Sequence, residues 1–193
     1  MTKVLIPIAD GTEEMEAVIT IDVLRRAEFD VCVASVMPER KEVITAHNVR
    51  VVADVLLEEC VEQEWDMIVL PGGIPGAIHL HDSASLIALL GDQIAQQRWV
   101  AAICAAPAVV LGRHQLIPNA NATCYPAYQE ELSRQTAAVS QERVVVDGKL
   151  ITSQGPGTAV EFALRLVELL GGKQKADEVQ KAMVVTQTGT SAA

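Results

Sequence analysis

The chain has 193 residues, half of them apolar and only 3% aromatic. That length suits one globular domain whose core is built from Ala, Val, Leu and Ile. Lys plus Arg number 15 against 25 Asp plus Glu, a formal charge of −10. With no basic run, such a surface repels phosphate backbones and anionic lipid, which argues against nucleic-acid binding.

In chain order, strand, turn and helix recur. Lys3 to Ala9 reads as a buried strand with Pro7 as its blemish. Asp10-Gly11-Thr12 is a turn, and Glu13 to Ala27 a helix with Thr12 as the expected N-cap. Val31 to Val36 is the next strand, followed by a small hairpin of Val43 to Thr45 and Val49 to Val52. Met67 to Leu70 is a short buried strand that runs into Pro71-Gly72-Gly73. Ser83 to Gln97 is helical, Val100 to Ile103 is a buried strand, and Pro107 opens a helix after it. Thr123 to Pro126, Val144 to Asp147 and Leu150 to Ser153 read as strands. An amphipathic helix follows Pro156 and ends at Gly171-Gly172, and Lys173 to Met183 forms the last helix. Residues 1–186 read as one domain and 187–193 as a frayed tail.

Buried strands alternating with helices imply an α/β fold: a mostly parallel sheet covered on both faces. The longest apolar run, Val100 to Leu111, contains Pro107 and falls short of the roughly 18 residues a membrane span needs. No signal peptide is visible. The four cysteines, Cys32, Cys60, Cys104 and Cys124, are too widely spaced for a zinc ribbon or a disulfide scaffold, which suggests a cytoplasmic protein. His79 and His81 lack a third ligand at metal spacing, so no metal site is expected.

Ligands of such sheets bind at the carboxyl ends of strands. The turn there after Ile103 holds Cys104 between Ile103 and Ala105, with further alanines on both sides. It has the look of a nucleophile elbow, with a helix start expected to favour the thiolate. The run by itself fits a small buried hydrophobe equally well, and the strand-end position favours chemistry. Gly72 and Gly73 can turn backbone N–H groups towards a ligand, which with that of Ala105 would make an oxyanion hole, although the run by itself fits an ordinary tight turn better. In the first helix, Glu16 has Ile19, Thr20 and Val23 as helical neighbours. A carboxyl buried on an apolar stripe is raised in pKa and can move protons beside a thiol, but a solvated helix face fits Glu16 as well and the pattern does not decide between them. Glu13 and Glu14 fit a solvated helix start. The same helix is apolar round much of its girth, as expected of one packed on two sides.

The runs Asp10 to Val18, Val69 to Gly73, Ala101 to Pro107 and Thr152 to Thr158, in this order, resemble the ThiJ/PfpI superfamily, in its deglycase and chaperone branch. That resemblance implies a flavodoxin-like three-layer sandwich acting as a homodimer, with no cofactor. It makes Cys104 the reactive cysteine, Glu16 its carboxyl partner, and Gly73 and Ala105 the oxyanion donors, with Gly72 nearby. It implies turnover of small α-oxoaldehydes such as methylglyoxal to lactate, or deglycation of early glycation adducts. The alternative it offers is a redox sensor or chaperone that works through Cys104 oxidation. Where some members place a His after the cysteine this chain has Ala105, so a Cys-His protease is not expected. Tyr125 stands at a pocket position where a branch member has His. Of two rim arginines, Arg26 matches one and His47 stands at the other.

Overall fold

The computed structural model describes residues 1–186, and the tail expected over 187–193 lies outside the described residues. The chain forms strands β1 (Lys3–Ile8), β2 (Asp30–Ser35), β3 (Glu42–Ile44), β4 (Arg50–Val52), β5 (Val55–Leu56) and β6 (Met67–Leu70). β7 (Trp99–Ile103), β8 (Asn121–Ala122), β9 (Ala138–Val139), β10 (Val144–Asp147) and β11 (Leu150–Ser153) follow. Helices are α1 (Glu14–Arg26), α2 (Gly76–Asp82), α3 (Ala84–Ala95), α4 (Gln129–Leu132), α5 (Ala159–Gly171) and α6 (Lys173–Ala182).

Seven strands make the central sheet in the order β10-β11-β7-β6-β1-β2-β5. Every pairing in it is parallel except the edge pair β10–β11. β1, β6 and β7 are almost wholly apolar because both of their faces are covered. The recorded β1–β6 ladder ends at Leu5↔Ile68, short of Pro7, so the missing proline N–H breaks no rung of it. α1 packs on α5 and α5 on α6, while α2 packs on α3 and on the segment after β7. From β1 the chain moves one way along the sheet to β2, and from β6 the other way to β7 and β11. Right-handed crossovers in opposite directions put their helices on opposite faces, which completes the α/β sandwich. They also leave a crevice between the carboxyl ends of β1 and β6. Among the described residues, no helix is long and apolar enough to cross a membrane.

Three local expectations fail, and one element was not expected. Thr12 does not cap α1: its Oγ1 accepts from the Ala9 N–H (2.9 Å) and tightens the turn, and the capping contact comes from Glu13, which accepts from the Met15 N–H (3.4 Å). The helix expected after Pro107 is a six-residue π-helical turn, Pro107–Gly112. Thr123 to Pro126 is not a strand; pairing is confined to Asn121–Ala122 and a 3-10 turn occupies Pro126–Tyr128. α2 was unexpected, since it is short and enters through Pro75 with no side-chain cap.

Candidate active site

Three turns meet at the crevice. The turns after β1 and β6 touch backbone to backbone. A Cβ on Gly11 would lie 2.3 Å from Pro75 Cδ, and one on Gly73 would lie 2.4 Å from the Glu13 nitrogen. Gly73 also has φ +86°, a left-handed backbone that glycine adopts without steric cost. The Glu13 N–H donates to Gly72 O at 3.0 Å, which locks the start of α1 onto the β6 turn. Asp10 anchors the outer side by accepting from both Arg40 nitrogens (3.2 and 2.6 Å) and from the Ile44 N–H (2.9 Å). The Arg40 guanidinium holds the Asp10 carboxyl below the usual carboxylate range.

The third turn carries Cys104. Its φ of +63° is rare for a residue with a Cβ and is held by its surroundings. Its N–H donates to Ser153 O (3.0 Å), and its carbonyl accepts from the Tyr125 N–H (2.8 Å). The kink turns the side chain towards Gly72, where any Cβ would stand 2.6 Å from Cys104 Cβ and 2.9 Å from Glu16 Oε2. Only glycine fits between the two groups. The Gly73 and Ala105 N–H groups lie close enough to the Cys104 sulfur to favour its thiolate.

Glu16 is fully buried on the sheet-facing side of α1, with Ala17, Thr20, Val23 and Leu24. Oε2 accepts from the Gly72 N–H at 2.7 Å. Oε1 is buried without a well-directed hydrogen bond. The Cys104 thiol is nonetheless close enough to influence the titration of the carboxyl. Burial pushes Glu16 up to about 7, against the opposing pull of the Gly72 N–H. Burial first, then the charge of Glu16, pushes the Cys104 thiol up to about 12.

This corrects the expectation of a thiolate favoured by a following helix. That segment is a short π-helical turn, and burial outweighs the two N–H donors. Moving a proton from the sulfur to Glu16 would also remove the carboxylate charge that opposes the thiolate.

The rim residues are less gathered. Cys104 is 9% exposed and Tyr125 is 43% exposed, its ring lying 3.3 Å from where a Gly155 Cβ would be. His47 lies over the start of α1, Nδ1 being 3.2 Å from Glu14 Oε1 and 3.5 Å from Glu13 Oε2. Arg26 is bonded to Asp22 (2.6 Å), about 15 Å further along α1 than Glu16, so this chain does not bring it to its own sulfur. The sequence reading missed the burial of Glu13, which is only 7% exposed. Its early place in a helix pointed to solvent, and the hairpin lying across it comes from a distant stretch of chain. Cys124 is buried and pushed up to about 12 by that burial, whereas Cys32 and Cys60 adjoin each other away from these turns.

Residues 2–169 match the DJ-1/PfpI family. The chain is 46% identical over 182 residues to Protein DJ-1 homolog A of Arabidopsis thaliana, covering 94% of this chain and 46% of that relative. It thus spans less than half the length of that plant protein. It is 34% identical to the protein of Caenorhabditis elegans named glutathione-independent glyoxalase DJR-1.2, across 95% of this chain and 96% of the relative. The structure of oxidized Toxoplasma gondii DJ-1 superposes with a TM-score of 0.91 at 41% identity, covering 95% of this chain and 98% of that one. A flavodoxin-like sandwich, a cysteine at its elbow and matches of this extent have one reading: the chain belongs to the DJ-1/PfpI family.

Proposed function

We propose that this protein converts small α-oxoaldehydes, methylglyoxal among them, to 2-hydroxy acids, with Cys104 as nucleophile and Glu16 as proton shuttle. The observation that carries this reading is the Cys104–Glu16 pair itself, two buried groups that meet across Gly72 with the carboxyl held by the Gly72 N–H. Glu16 takes the thiol proton and the sulfur adds to the aldehyde carbon. The oxygen accepts the proton back, giving a hemithioacetal. Glu16 then takes the hydrogen on that carbon as a proton and returns it to the neighbouring carbonyl carbon, while the hydroxyl proton passes to that carbonyl's oxygen, leaving a 2-hydroxyacyl thioester. Water cleaves it to the 2-hydroxy acid and the free thiol, so the net change is addition of one water. The Gly73 and Ala105 N–H groups face the oxyanions of addition and hydrolysis. Deglycation would begin with the same attack on an aldehyde-derived adduct. Purified protein given methylglyoxal without glutathione should form lactate in proportion to enzyme. If methylglyoxal is consumed only stoichiometrically, by modification of the chain, the reading is wrong.

A second reading, oxidation sensing, is favoured by the same surroundings. A Cys104 sulfinate would accept from both N–H groups and from a protonated Glu16.

The reading includes a homodimer, supported by the apolar side chains Met15 and Val18 that α1 leaves about half exposed. Val18→Glu should convert a dimer to a monomer in light scattering after size exclusion. A wild type that is already monomeric at micromolar concentration would refute this part.

A further inference from the structure

A cleft of about 330 Å³ opens at the end of the sheet opposite to the elbow. Val100 and Leu150, register partners near the amino ends of β7 and β11, line it together with Ile94, Leu116, Ile117 and Pro118. Val100, Ile117 and Leu150 are buried, so an apolar surface waits at its base. The surrounding backbone is fixed: the Val100 N–H donates to Lys149 O (2.9 Å), the Arg98 N–H to Gln93 O (3.0 Å) and the Ala120 N–H to Ile117 O (3.2 Å). Cys104 lies four residues beyond Val100, about 13 Å away along an extended strand.

The polar lining gives the cleft a preference. Arg98 and Lys149 bring two cations to it and Asp147 one carboxylate, a positive balance on a chain whose formal charge is −10. Asp147 Oδ2 is already engaged by the Asn121 N–H (2.7 Å). Lys149 holds its ammonium over the Trp99 ring, 4.1 Å from the centroid. Arg98 is the more telling. Glu64 reaches only its Nη1, at 3.6 Å, and the Glu64 side chain is itself 86% exposed. Arg98 Nε is buried and, among the described residues, has no hydrogen-bond partner. A buried N–H of a charged group without an acceptor carries a free-energy cost that a ligand oxygen would remove.

We infer that this cleft binds a medium-chain monocarboxylate, its carboxylate on the Nε edge of Arg98 and its tail against Val100, Ile117 and Leu150. A planar carboxylate matches a guanidinium edge through two parallel hydrogen bonds, and Lys149 adds a second charge. The apolar lining suits a hydrocarbon tail and disfavours a free phosphate, whose other oxygens would lose water against it. At roughly 30 Å³ for each heavy atom the space holds about ten of them, the size of an acid of about eight carbons. The ligand would occupy the far end of β7 from the sulfur and leave the aldehyde chemistry unobstructed.

The test is titration of sodium octanoate into the full chain, read by calorimetry and by backbone amide NMR shifts. One octanoate per chain is expected, with a dissociation constant below about 1 mM. The amides of Val100, Ile117 and Leu150 should move and those of Gly73 and Ala105 should not. Arg98→Gln should weaken binding at least about 10-fold. Lys149→Gln, at an exposed turn position where folding is not at stake, should weaken it about 3-fold. Octanol, which keeps the tail and lacks the charge, should bind the wild type at least about 10-fold more weakly than octanoate. Circular dichroism checks that both variants fold. An absence of saturation below about 10 mM, octanol binding as tightly as octanoate, or shifts centred on the elbow would each overturn the inference.

Discussion

Cys104→Ala should lose methylglyoxal turnover by at least about 1,000-fold while its melting temperature stays within a few degrees of wild type. The loss is large because the sulfur forms the bond through which every later step runs, and no other group stands among these turns to replace it. Stability is spared because alanine keeps the Cβ and the backbone bonds to Ser153 and Tyr125. Alanine also meets the same left-handed strain at φ +63°. Lactate formation and a thermal melt on the same preparation decide the matter. Turnover that survives in this variant would exclude the covalent route and leave the fold without an assigned chemistry.

Glu16→Gln should separate three properties that a simple loss of structure would move together. Turnover should fall at least about 100-fold, the usual scale of a lost acid–base group. Alkylation of Cys104 by iodoacetamide near neutral pH should become faster. The charge of Glu16 is the second cause of the raised thiol, and its removal lets the thiol fall while burial still holds it above its ordinary value. The amide can still accept from the Gly72 N–H.

Stability should change with a definite sign. Folding raises Glu16 from 4.5 to about 7. Below about pH 4.5 the carboxyl is protonated in both states and costs nothing. As pH rises towards 7 the unfolded chain releases its proton first, and stability drains away by about 3 kcal/mol at most. Denaturant melts of the two proteins should therefore diverge between these pH values, with the glutamine variant the more stable at pH 8. In the wild type, turnover should rise with pH through a midpoint near 7, a limb the variant lacks. A variant with unchanged turnover, or one less stable than wild type at pH 8, would contradict the placement of a buried titrating acid.

Much of the architecture was legible because buried parallel strands are written as unbroken apolar runs. β6 and the interior of β7 announce themselves as MIVL and VAAI, and β10 and β11 fall where the runs of valine and LITS put them. Cys104 and Glu16 could be singled out for local reasons, one as a thiol among alanines at a strand end, the other as an acid on an apolar stripe. The titration of the thiol was not legible. It depends on how deeply three turns bury the sulfur, and that depth comes from contacts between residues far apart in the chain, Glu16 with Gly72 above all. The gathering of Glu13, Glu14 and His47 was hidden for the same reason, since only the β3–β4 crossing brings the histidine over the helix. The π-helical turn escaped because Pro107 promises a helix start without saying how widely the helix will be wound.

The tight seam between the turns after β1 and β6 also constrains how this protein can change. Main chain rests on main chain at Gly11, Gly73 and Gly76, so no drift of side chains can widen or reshape the floor of the pocket without moving two strands at once. Change is thereby channelled to exposed positions around the seam, such as Tyr125, whose side chain does not support it. Mutant libraries built to test or alter the proposed aldehyde chemistry should be confined to such positions and leave the glycines untouched.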